Sequence, residues 1–492
     1  MAYNPIKKLA GDTAVYGLGT VVPRLLNYLL VPFYTIMVFN KSQYGQITEL
    51  YAYVAILLVM LTYGMETAFF RYANKDKNPL KVFHTAATSL LISSTLFILF
   101  ILFFRNDIAG WIQYSGHSEY ILLLGLVVAL DAFTAIPFAH LRFLNKAKRF
   151  SFIKIANVVV NIFFNFLFLI IIPRLFKESY NEFWLYRQIP LVGFVFLSNL
   201  IASLFTLFML FPELRNYKPR IDNSMLKKML AYGLPILVIG FAGMINEVSD
   251  KILLRYLLPG NTNINAVIGV YGANYKLAIL MVLFIQMFRY AAEPFFFAES
   301  AKKEAKETYA NVMSVFVAFG WFIFLLVLLF IDVFKYFIGP AFWGGLIIVP
   351  IILAAKLFLG IFYNLSVWYK LTDRTLYGSL IAIMGAVITI VLNVILIPKY
   401  SYIGSAWANL ACYFSMALVS WLMSRKYYKV DYNLKRIIFY SALALILYFV
   451  SRILPLTSVV QRLTTGAVLM LIYLSVTITI EKKQFRKVPN IP

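Results

Sequence analysis

Four basic residues stand inside long apolar stretches of this 492-residue chain: Arg24, Lys251, Lys276 and Lys356. A cation at the centre of a membrane helix costs about 2.5–3.5 kcal/mol on insertion scales unless it reaches water or a partner. We therefore expect Arg24, Lys276 and Lys356 to face either a hydrated cavity, where they can bind an anionic group, or the other lobe. Lys251 lies near the end of its stretch, so its side chain could equally reach the membrane surface.

The composition shows what surrounds these charges. Hydrophobic residues make up 62% of the chain and charged residues 13%, and the mean hydropathy is +0.79. Soluble domains are close to half apolar and a quarter charged, so a soluble enzyme is excluded. The apolar runs are unbroken, as spanning helices of about 20 residues require, whereas barrel strands alternate in polarity over about 10 residues. The sequence therefore predicts an all-α polytopic membrane protein.

Fourteen transmembrane helices are predicted, joined by short connections. Their approximate limits are 12–38, 44–71, 82–104, 119–141, 151–172, 186–211, 229–257, 266–288, 307–331, 344–369, 376–397, 402–424, 436–453 and 461–480. Of the 45 Lys and Arg residues, 31 fall on the side of the N-terminus and 10 on the opposite side. This bias places both termini in the cytoplasm and accounts for the net charge of +24 without nucleic acid. The first apolar stretch is too long for a cleaved signal peptide, so we expect none.

An internal repeat relates the two halves of the chain at an offset of about 227 residues. It places Arg24 on Lys251, Pro32 on Pro259, Tyr44-Gly45 on Tyr271-Gly272, and Glu66 on Glu293. The offset spans six predicted helices, so the halves share one orientation and are related by an axis along the membrane normal. We expect an N-terminal lobe over 1–215, a C-terminal lobe over 216–426, and two further helices with a cytoplasmic tail over 427–492.

The repeat also sets acids opposite bases. Glu49 corresponds to Lys276, and Asp131 corresponds to Lys356 after a small shift of the offset. One hypothesis is that each of these two pairs forms when the lobes close. The alternative is that each acid is satisfied by a neighbouring helix of its own lobe.

Motifs for enzymatic chemistry are missing. His84, His117 and His140 are scattered without metal-ligand spacing, and no GxxxxGK[ST] phosphate loop occurs. The single cysteine, Cys412, excludes an intrachain disulfide. We expect no catalytic residue and no bound metal.

Several strings resemble the polysaccharide or O-antigen (Wzx-type) flippases, in the superfamily that holds MurJ and the MATE exporters. They are Gly19-Thr-Val-Val-Pro-Arg24-Leu-Leu, Gln43-Tyr-Gly45, Asp250-Lys251, Ile268-Gly-Val-Tyr271-Gly-Ala-Asn-Tyr-Lys276-Leu, Asn393-Val-Ile-Leu-Ile-Pro398 and Gly404-Ser-Ala-Trp-Ala. The resemblance covers essentially the whole chain, helix for helix.

This resemblance implies two six-helix lobes in a V that alternate between inward and outward openings in a bacterial inner membrane. It implies a substrate of oligosaccharide on undecaprenyl pyrophosphate, for polysaccharide, capsule or O-antigen synthesis. Arg24 and Lys276 match cavity-lining basic positions of MurJ-like members, and Lys356 would add charge for the pyrophosphate. Four tyrosines could stack on sugars: Tyr28, Tyr271, Tyr275 and Tyr363. Whether a polysaccharide polymerase or glycosyltransferases bind the cytoplasmic loops stays open.

Other functions compete with this interpretation. A MATE-like exporter of cationic drugs would need an acidic cavity, which Arg24, Lys276 and Lys356 oppose and the acids within or at the ends of the spans, Glu66, Asp131, Glu247 and Asp250, favour. The acids could instead bind a coupling Na⁺ or H⁺, and Glu247 and Asp250 are the best placed to do so. Glu49, Glu66 and Asp131 are the other candidates for ion coupling or gating, together with Lys251. An integral-membrane polysaccharide polymerase or ligase is disfavoured, because no long outward loop is available for an acceptor.

Overall fold

The computed structural model describes residue 17, residues 19–176 and residues 184–485. Helices joined by short turns make up these ranges, and no strand occurs within them. Twelve helices in the described ranges are long and apolar enough to cross a membrane, and a shorter apolar helix accompanies them. The all-α polytopic class is therefore confirmed, whereas the count of fourteen spans stays a prediction.

The helices are labelled α1 to α13 in chain order. Their limits are α1 Gly19–Val38, α2 Lys41–Ala73, α3 Pro79–Trp111, α4 Ser118–Phe143, α5 Ala147–Phe176, α6 Gly193–Met209, α7 Asn223–Leu257, α8 Ile264–Glu299, α9 Ala305–Leu329, α10 Pro340–Leu371, α11 Thr375–Tyr427, α12 Leu434–Ile453 and α13 Val459–Phe485.

Two of the expected spans follow each other directly, and another is divided. The segments 376–397 and 402–424 are two helices, together labelled α11 over 53 residues, that meet at a kink at Ser401, where φ is 51° and ψ is −140°. A straight helix of that length would measure about 80 Å, far more than the hydrocarbon core of about 30 Å. Pro398, which has no backbone N–H, stands just before the bend. The segment 186–211 is divided into a short helix, Trp184–Gln188, and α6. Pro190 lies between them and causes the interruption, because a proline disfavours helical geometry at the residue before it.

Asparagine side chains begin three of the long helices. The Oδ1 atoms of Asn78, Asn263 and Asn433 each accept a hydrogen bond from the backbone N–H three residues later, at 3.2, 3.1 and 3.1 Å. The first-turn N–H groups of a helix have no partner within it, so such a cap satisfies a donor that would otherwise need water. These caps begin α3, α8 and α12.

The chain divides into two compact units. Unit 1 comprises the described residues up to Tyr34 together with Gln43–Val248, and unit 2 comprises Thr35–Ser42 and the described residues from Ser249 onward. In unit 1, α4 packs on α3 and α6, and α5 packs on α6. In unit 2, α10 packs on α11, α8 and α9. The lobe limits 1–215, 216–426 and 427–492 stay a prediction from the repeat.

The two helices outside the repeat are anchored on α9. The Trp321 indole N–H donates to Ser441 Oγ of α12 at 2.8 Å, and the Tyr473 hydroxyl of α13 donates to the Ala318 carbonyl at 2.9 Å. Buried tyrosine and tryptophan polar atoms need such partners, because an unpaired donor in an apolar setting is costly. Hence α12 and α13 belong to the packing of unit 2.

The repeat reappears in the backbone where α4 and α10 end. Asn145 and Asp373 both have φ of 54°, in the left-handed region. The next residue donates its N–H back across five residues in each case, from Lys146 to Leu141 O at 2.9 Å and from Arg374 to Tyr369 O at 2.8 Å. This is the hydrogen bond of a Schellman-type helix end. The two halves therefore share a helix ending that side-chain identity alone does not reveal.

Replacing Gly64 by alanine should destabilise the protein strongly. Gly64 has φ of +70°, and a Cβ there would lie 2.3 Å from the Gly233 carbonyl oxygen. We expect Gly64→Ala to lower the free energy of unfolding by about 2–5 kcal/mol, from backbone strain plus overpacking. Gly116 has φ of +89° and nothing within 4 Å of such a Cβ, so Gly116→Ala should cost only about 1–2 kcal/mol. Thermal unfolding of both variants in detergent is the measurement, and equal losses would contradict the close approach of Gly64 to Gly233.

Candidate functional site

A buried cluster of charged and aromatic side chains lies within unit 2. We call it the lysine–tyrosine cluster, and its members are Asp250, Lys251, Tyr271, Tyr275, Lys356 and Tyr413. Helices α7, α8, α10 and α11 supply these residues. Four helices thus bring together Lys251, Lys356, Tyr271 and Tyr275, which the sequence had singled out as candidate site residues.

Asp250 is the anionic centre of this cluster. Its side chain accepts hydrogen bonds from Lys251 Nζ at 2.8 Å and from the Tyr271 hydroxyl at 2.5 Å. Asp250 is 1% exposed and Tyr271 is fully buried. A buried carboxylate is tolerated when it is paired and hydrogen-bonded, so Lys251 and Tyr271 together hold this charge in the apolar interior.

Two lysines lie over the ring of Tyr275. Lys251 Nζ is 4.2 Å and Lys356 Nζ is 4.9 Å from its centroid, and Lys356 is also 5.1 Å from the centroid of Tyr413. A cation within about 6 Å of an aromatic face is attracted by the electrons of the ring. Lys356 is only 1% exposed. The lysine expected to line a hydrated cavity is therefore enclosed by unit 2 in this structure.

Lys276 follows Tyr275 at a local change of helix type. Residues Lys276–Ala278 form a 3-10 turn between two α-helical parts of α8, and the Lys276 side chain is half-buried. Such a turn breaks the regular backbone hydrogen bonding and often marks a hinge. Tyr275 is the last residue before this turn and Lys276 is its first residue. Both candidate site residues therefore lie where α8 departs from regular α-helical geometry.

Arg24 and Tyr28 lie one turn apart on α1 in unit 1. Arg24 is exposed although apolar residues surround it in sequence, and Tyr28 is half-buried. Tyr28 interacts electrostatically with Glu247 of α7 as well as with Arg24. These three predicted site residues are thus brought together within unit 1.

Two further acids that the sequence singled out, Glu49 and Asp131, have partners in unit 1. Glu49 is fully buried and accepts a hydrogen bond from the Tyr114 hydroxyl at 2.8 Å. Asp131 accepts one from Ser203 Oγ at 2.8 Å and interacts electrostatically with Lys154. The pairs of Glu49 with Lys276 and of Asp131 with Lys356 stay a prediction.

An ion pair occurs at equivalent places in the two units, and the sequence analysis missed it. Glu66 of α2 pairs with Arg142 of α4, and Glu293 of α8 pairs with Lys370 of α10 at 2.5 Å. Arg142 and Lys370 each stand three residues before the left-handed residue that ends their helix. The repeat had already placed Glu66 on Glu293, and aligning the ends of α4 and α10 one residue further along, at an offset of 228, pairs Arg142 with Lys370.

Tyr363 lies apart from the lysine–tyrosine cluster, beside the second of these ion pairs. The Arg289 guanidinium is 4.2 Å from the centre of its ring, and Arg289, Glu293, Tyr363 and Lys370 line one groove of unit 2. Arg289 belongs to this groove because α8 continues to Glu299, beyond the expected end near 288. Among the described residues, no group of three or more His, Cys, Asp or Glu side chains is placed to hold a metal ion.

The ring of Tyr275 should be what stabilises the two lysines. We expect Tyr275→Leu to lower the free energy of unfolding by about 1–4 kcal/mol, because two cation–π contacts are lost. Tyr275→Phe keeps the ring and should cost about 1 kcal/mol or less, the range of one neutral hydrogen bond. Thermal unfolding in detergent compares the two variants. If phenylalanine and leucine destabilise equally, the ring is not the stabilising element.

Comparison with known proteins supplies the family. The family model described as "Polysaccharide biosynthesis protein" matches residues 9–300, while no curated protein sequence matches this chain.

Solved structures show the same fold. "Lipid II flippase MurJ, inward closed conformation" is 15% identical with a TM-score of 0.67, covering 94% of this chain and 98% of that one. An inward-facing multidrug resistance MATE family transporter of the MOP superfamily is 15% identical, with a TM-score of 0.61 and coverage of 89% and 99%. A MOP superfamily transporter from Pyrococcus furiosus, described by a "reverse polarity of binding pocket", is 16% identical, with a TM-score of 0.55 and coverage of 89% and 97%. The resemblance to MurJ and MATE proteins is confirmed at the level of fold. Because the matching family model spans more than half of the chain, this protein belongs to the polysaccharide biosynthesis protein family.

Proposed function

We propose that this multi-pass membrane protein is a flippase for an undecaprenyl-pyrophosphate-linked oligosaccharide in the bacterial inner membrane. The observation that carries the proposal is Arg24, an exposed guanidinium on an otherwise apolar membrane helix. A pyrophosphate is the lipid-linked anion that such a group binds best, because the planar guanidinium fork matches phosphate oxygens. Membership of the polysaccharide biosynthesis family and a fold like that of the lipid II flippase MurJ support this assignment.

Each site residue has a proposed role in this mechanism. Arg24 binds phosphate oxygens, and Tyr28, beside it, stacks on the first sugar. Lys276 adds positive charge at the distorted part of α8. Lys356 and Tyr275 join the path when unit 2 rearranges, while Tyr271 holds Asp250 in place. Tyr363 contacts sugar from the groove that it shares with Arg289.

Transport is proposed to occur by alternating access driven by a Na⁺ or H⁺ gradient. Glu247 is the proposed coupling group, since its half-buried carboxylate interacts with the same tyrosine as Arg24. Binding a cation at Glu247 would change the charge beside Tyr28, and this change would be felt by a phosphate on Arg24. Asp250, Glu66 and the other acids have the structural partners described above and are proposed to act in gating.

The second candidate is an exporter of organic cations. The likeness to multidrug MATE transporters favours it, as do the buried carboxylate of Glu49 and the half-buried carboxylate of Asp131. It differs from the flippase in the charge of its substrate, so one assay can separate the two functions.

Removing the guanidinium of Arg24 should slow translocation. We expect Arg24→Gln to reduce the initial rate by about ten- to hundredfold, which corresponds to a charge-assisted hydrogen bond of about 1.5–3 kcal/mol. Arg24→Lys should retain part of the rate, because it keeps the charge and loses the fork. Proteoliposomes carrying a fluorescent undecaprenyl-pyrophosphate oligosaccharide provide the measurement, with and without Na⁺ and pH gradients.

The control is Lys429→Gln, which removes a surface cation whose side chain is 66% exposed. It should transport like wild type. Wild-type protein that moves no lipid-linked sugar but expels organic cations would replace the flippase with the exporter. Equal rates for Arg24→Gln and Lys429→Gln would refute the role of Arg24.

The topology can be tested with introduced cysteines. The single native cysteine, Cys412, is fully buried, so Cys412→Ser provides a background without thiols. In that background we expect Ser115→Cys to react with a membrane-impermeant maleimide in intact cells, and Lys429→Cys to react only after permeabilisation. Both positions are exposed, so reactivity reports the side of the membrane. The reverse pattern would place the termini outside.

A further inference from the structure

A cavity of about 550 Å³ lies within unit 2, away from the lysine–tyrosine cluster. Residues at the ends of α9 and α12 and at the beginnings of α10 and α13 form its walls. All four helices enter or leave their apolar spans there. The cavity is therefore at the depth where the hydrocarbon core gives way to lipid headgroups.

Three cations and one carboxylate line this cavity. Asp332 accepts hydrogen bonds from Lys335 Nζ and Arg462 Nε, both at 2.6 Å. Burial disfavours the ionised form of Asp332, but these hydrogen bonds hold the pKa of its carboxyl below the ordinary value. Asp332 is thus a permanent anion at neutral pH that organises the first two cations.

Arg452 is the third cation. It is exposed, and its guanidinium lies 5.4 Å from the centre of the Tyr448 ring on the same helix, α12. One carboxylate against Lys335, Arg452 and Arg462 leaves the charged side chains of the cavity wall with an excess of two positive charges. Guanidinium groups at a wall of this kind bind phosphate through two parallel hydrogen bonds.

Another part of the lining, the apolar wall, consists of hydrophobic side chains. Leu328, Leu346 and Ile347 line it, and Ile347 is 60% exposed. A ligand that satisfies both walls carries a phosphate anion at one end and hydrocarbon at the other. Free phosphate would leave the apolar wall uncovered, which disfavours it.

We propose that this cavity binds the headgroup phosphate of an anionic phospholipid. Arg452 contacts the phosphate directly, Lys335 and Arg462 supply the surrounding positive potential, and an acyl chain covers the apolar wall. This site is formed by α9, α10, α12 and α13 with the connections that follow α9 and α12, and it does not depend on what the protein transports.

Lipid retention tests the proposal. Full-length protein in detergent is incubated with phosphatidylglycerol or phosphatidylcholine, and bound lipid is counted by native mass spectrometry. We expect preferential retention of phosphatidylglycerol by wild type and an apparent affinity about tenfold lower for Arg452→Gln. The matched control is Arg425→Gln, because Arg425 is also an exposed arginine near a helix end, 5.3 Å from the ring of Trp421.

Four results would overturn the proposal. Equal retention of the two lipids would exclude recognition of an anionic headgroup. Unchanged retention by Arg452→Gln, or an equal loss in Arg425→Gln, would exclude this cavity as the site. Complete displacement of phosphatidylglycerol by inorganic phosphate at millimolar concentration would make it a site for free phosphate rather than for lipid. Unfolding temperatures of both variants verify that each is folded.

Discussion

The cost of placing charge in a hydrocarbon environment governs this structure. Carboxylates and cations that stand within the apolar helices are held by partners of the same compact unit. Asp250 is bound by Lys251 and Tyr271, Glu49 by Tyr114, and Lys356 lies between tyrosine rings. Such partners offset a desolvation penalty of several kcal/mol per ion. Tyrosines serve two purposes here: the hydroxyls of Tyr271 and Tyr114 donate to carboxylates, and the rings of Tyr275 and Tyr413 attract lysines.

Duplication preserved the framework of the two units and changed their interiors. The ion pairs of Glu66 with Arg142 and of Glu293 with Lys370 precede the same left-handed helix ending, so they fasten corresponding helices in both units. At interior positions the charge sign differs, as where Glu49 of unit 1 corresponds to Lys276 of unit 2. Similar ion pairs at the helix ends keep the packing of the two units alike. Different charges at interior positions make the two halves of the proposed site unequal.

The two C-terminal helices extend unit 2 beyond the repeat. Trp321 and Tyr473 fasten them to α9 through buried hydrogen bonds, and their ends complete a cationic cavity that α9 and α10 alone could not enclose. A headgroup site at this place would let the surrounding lipid bias the packing of α9 and α10. Since α10 carries Lys356 and Tyr363, lipid composition would then affect two of the proposed transport residues through the helix that they share with the cavity.

The sequence alone determined the class of the protein, the approximate positions of its membrane helices and the repeat, because hydrophobic length and charge placement are local properties of the chain. It also identified most charged residues that the interior must accommodate. Tertiary structure decided which of them meet: the enclosure of Lys356 by Tyr275 and Tyr413, the pairing of Glu293 with Lys370, and the cavity at Arg452. Those contacts depend on how each helix is rotated and where it ends, and both are set by packing against neighbours. The break near Pro190 and the continuation of α8 to Glu299 changed such ends, whereas the kink at Ser401 falls between the predicted limits 397 and 402.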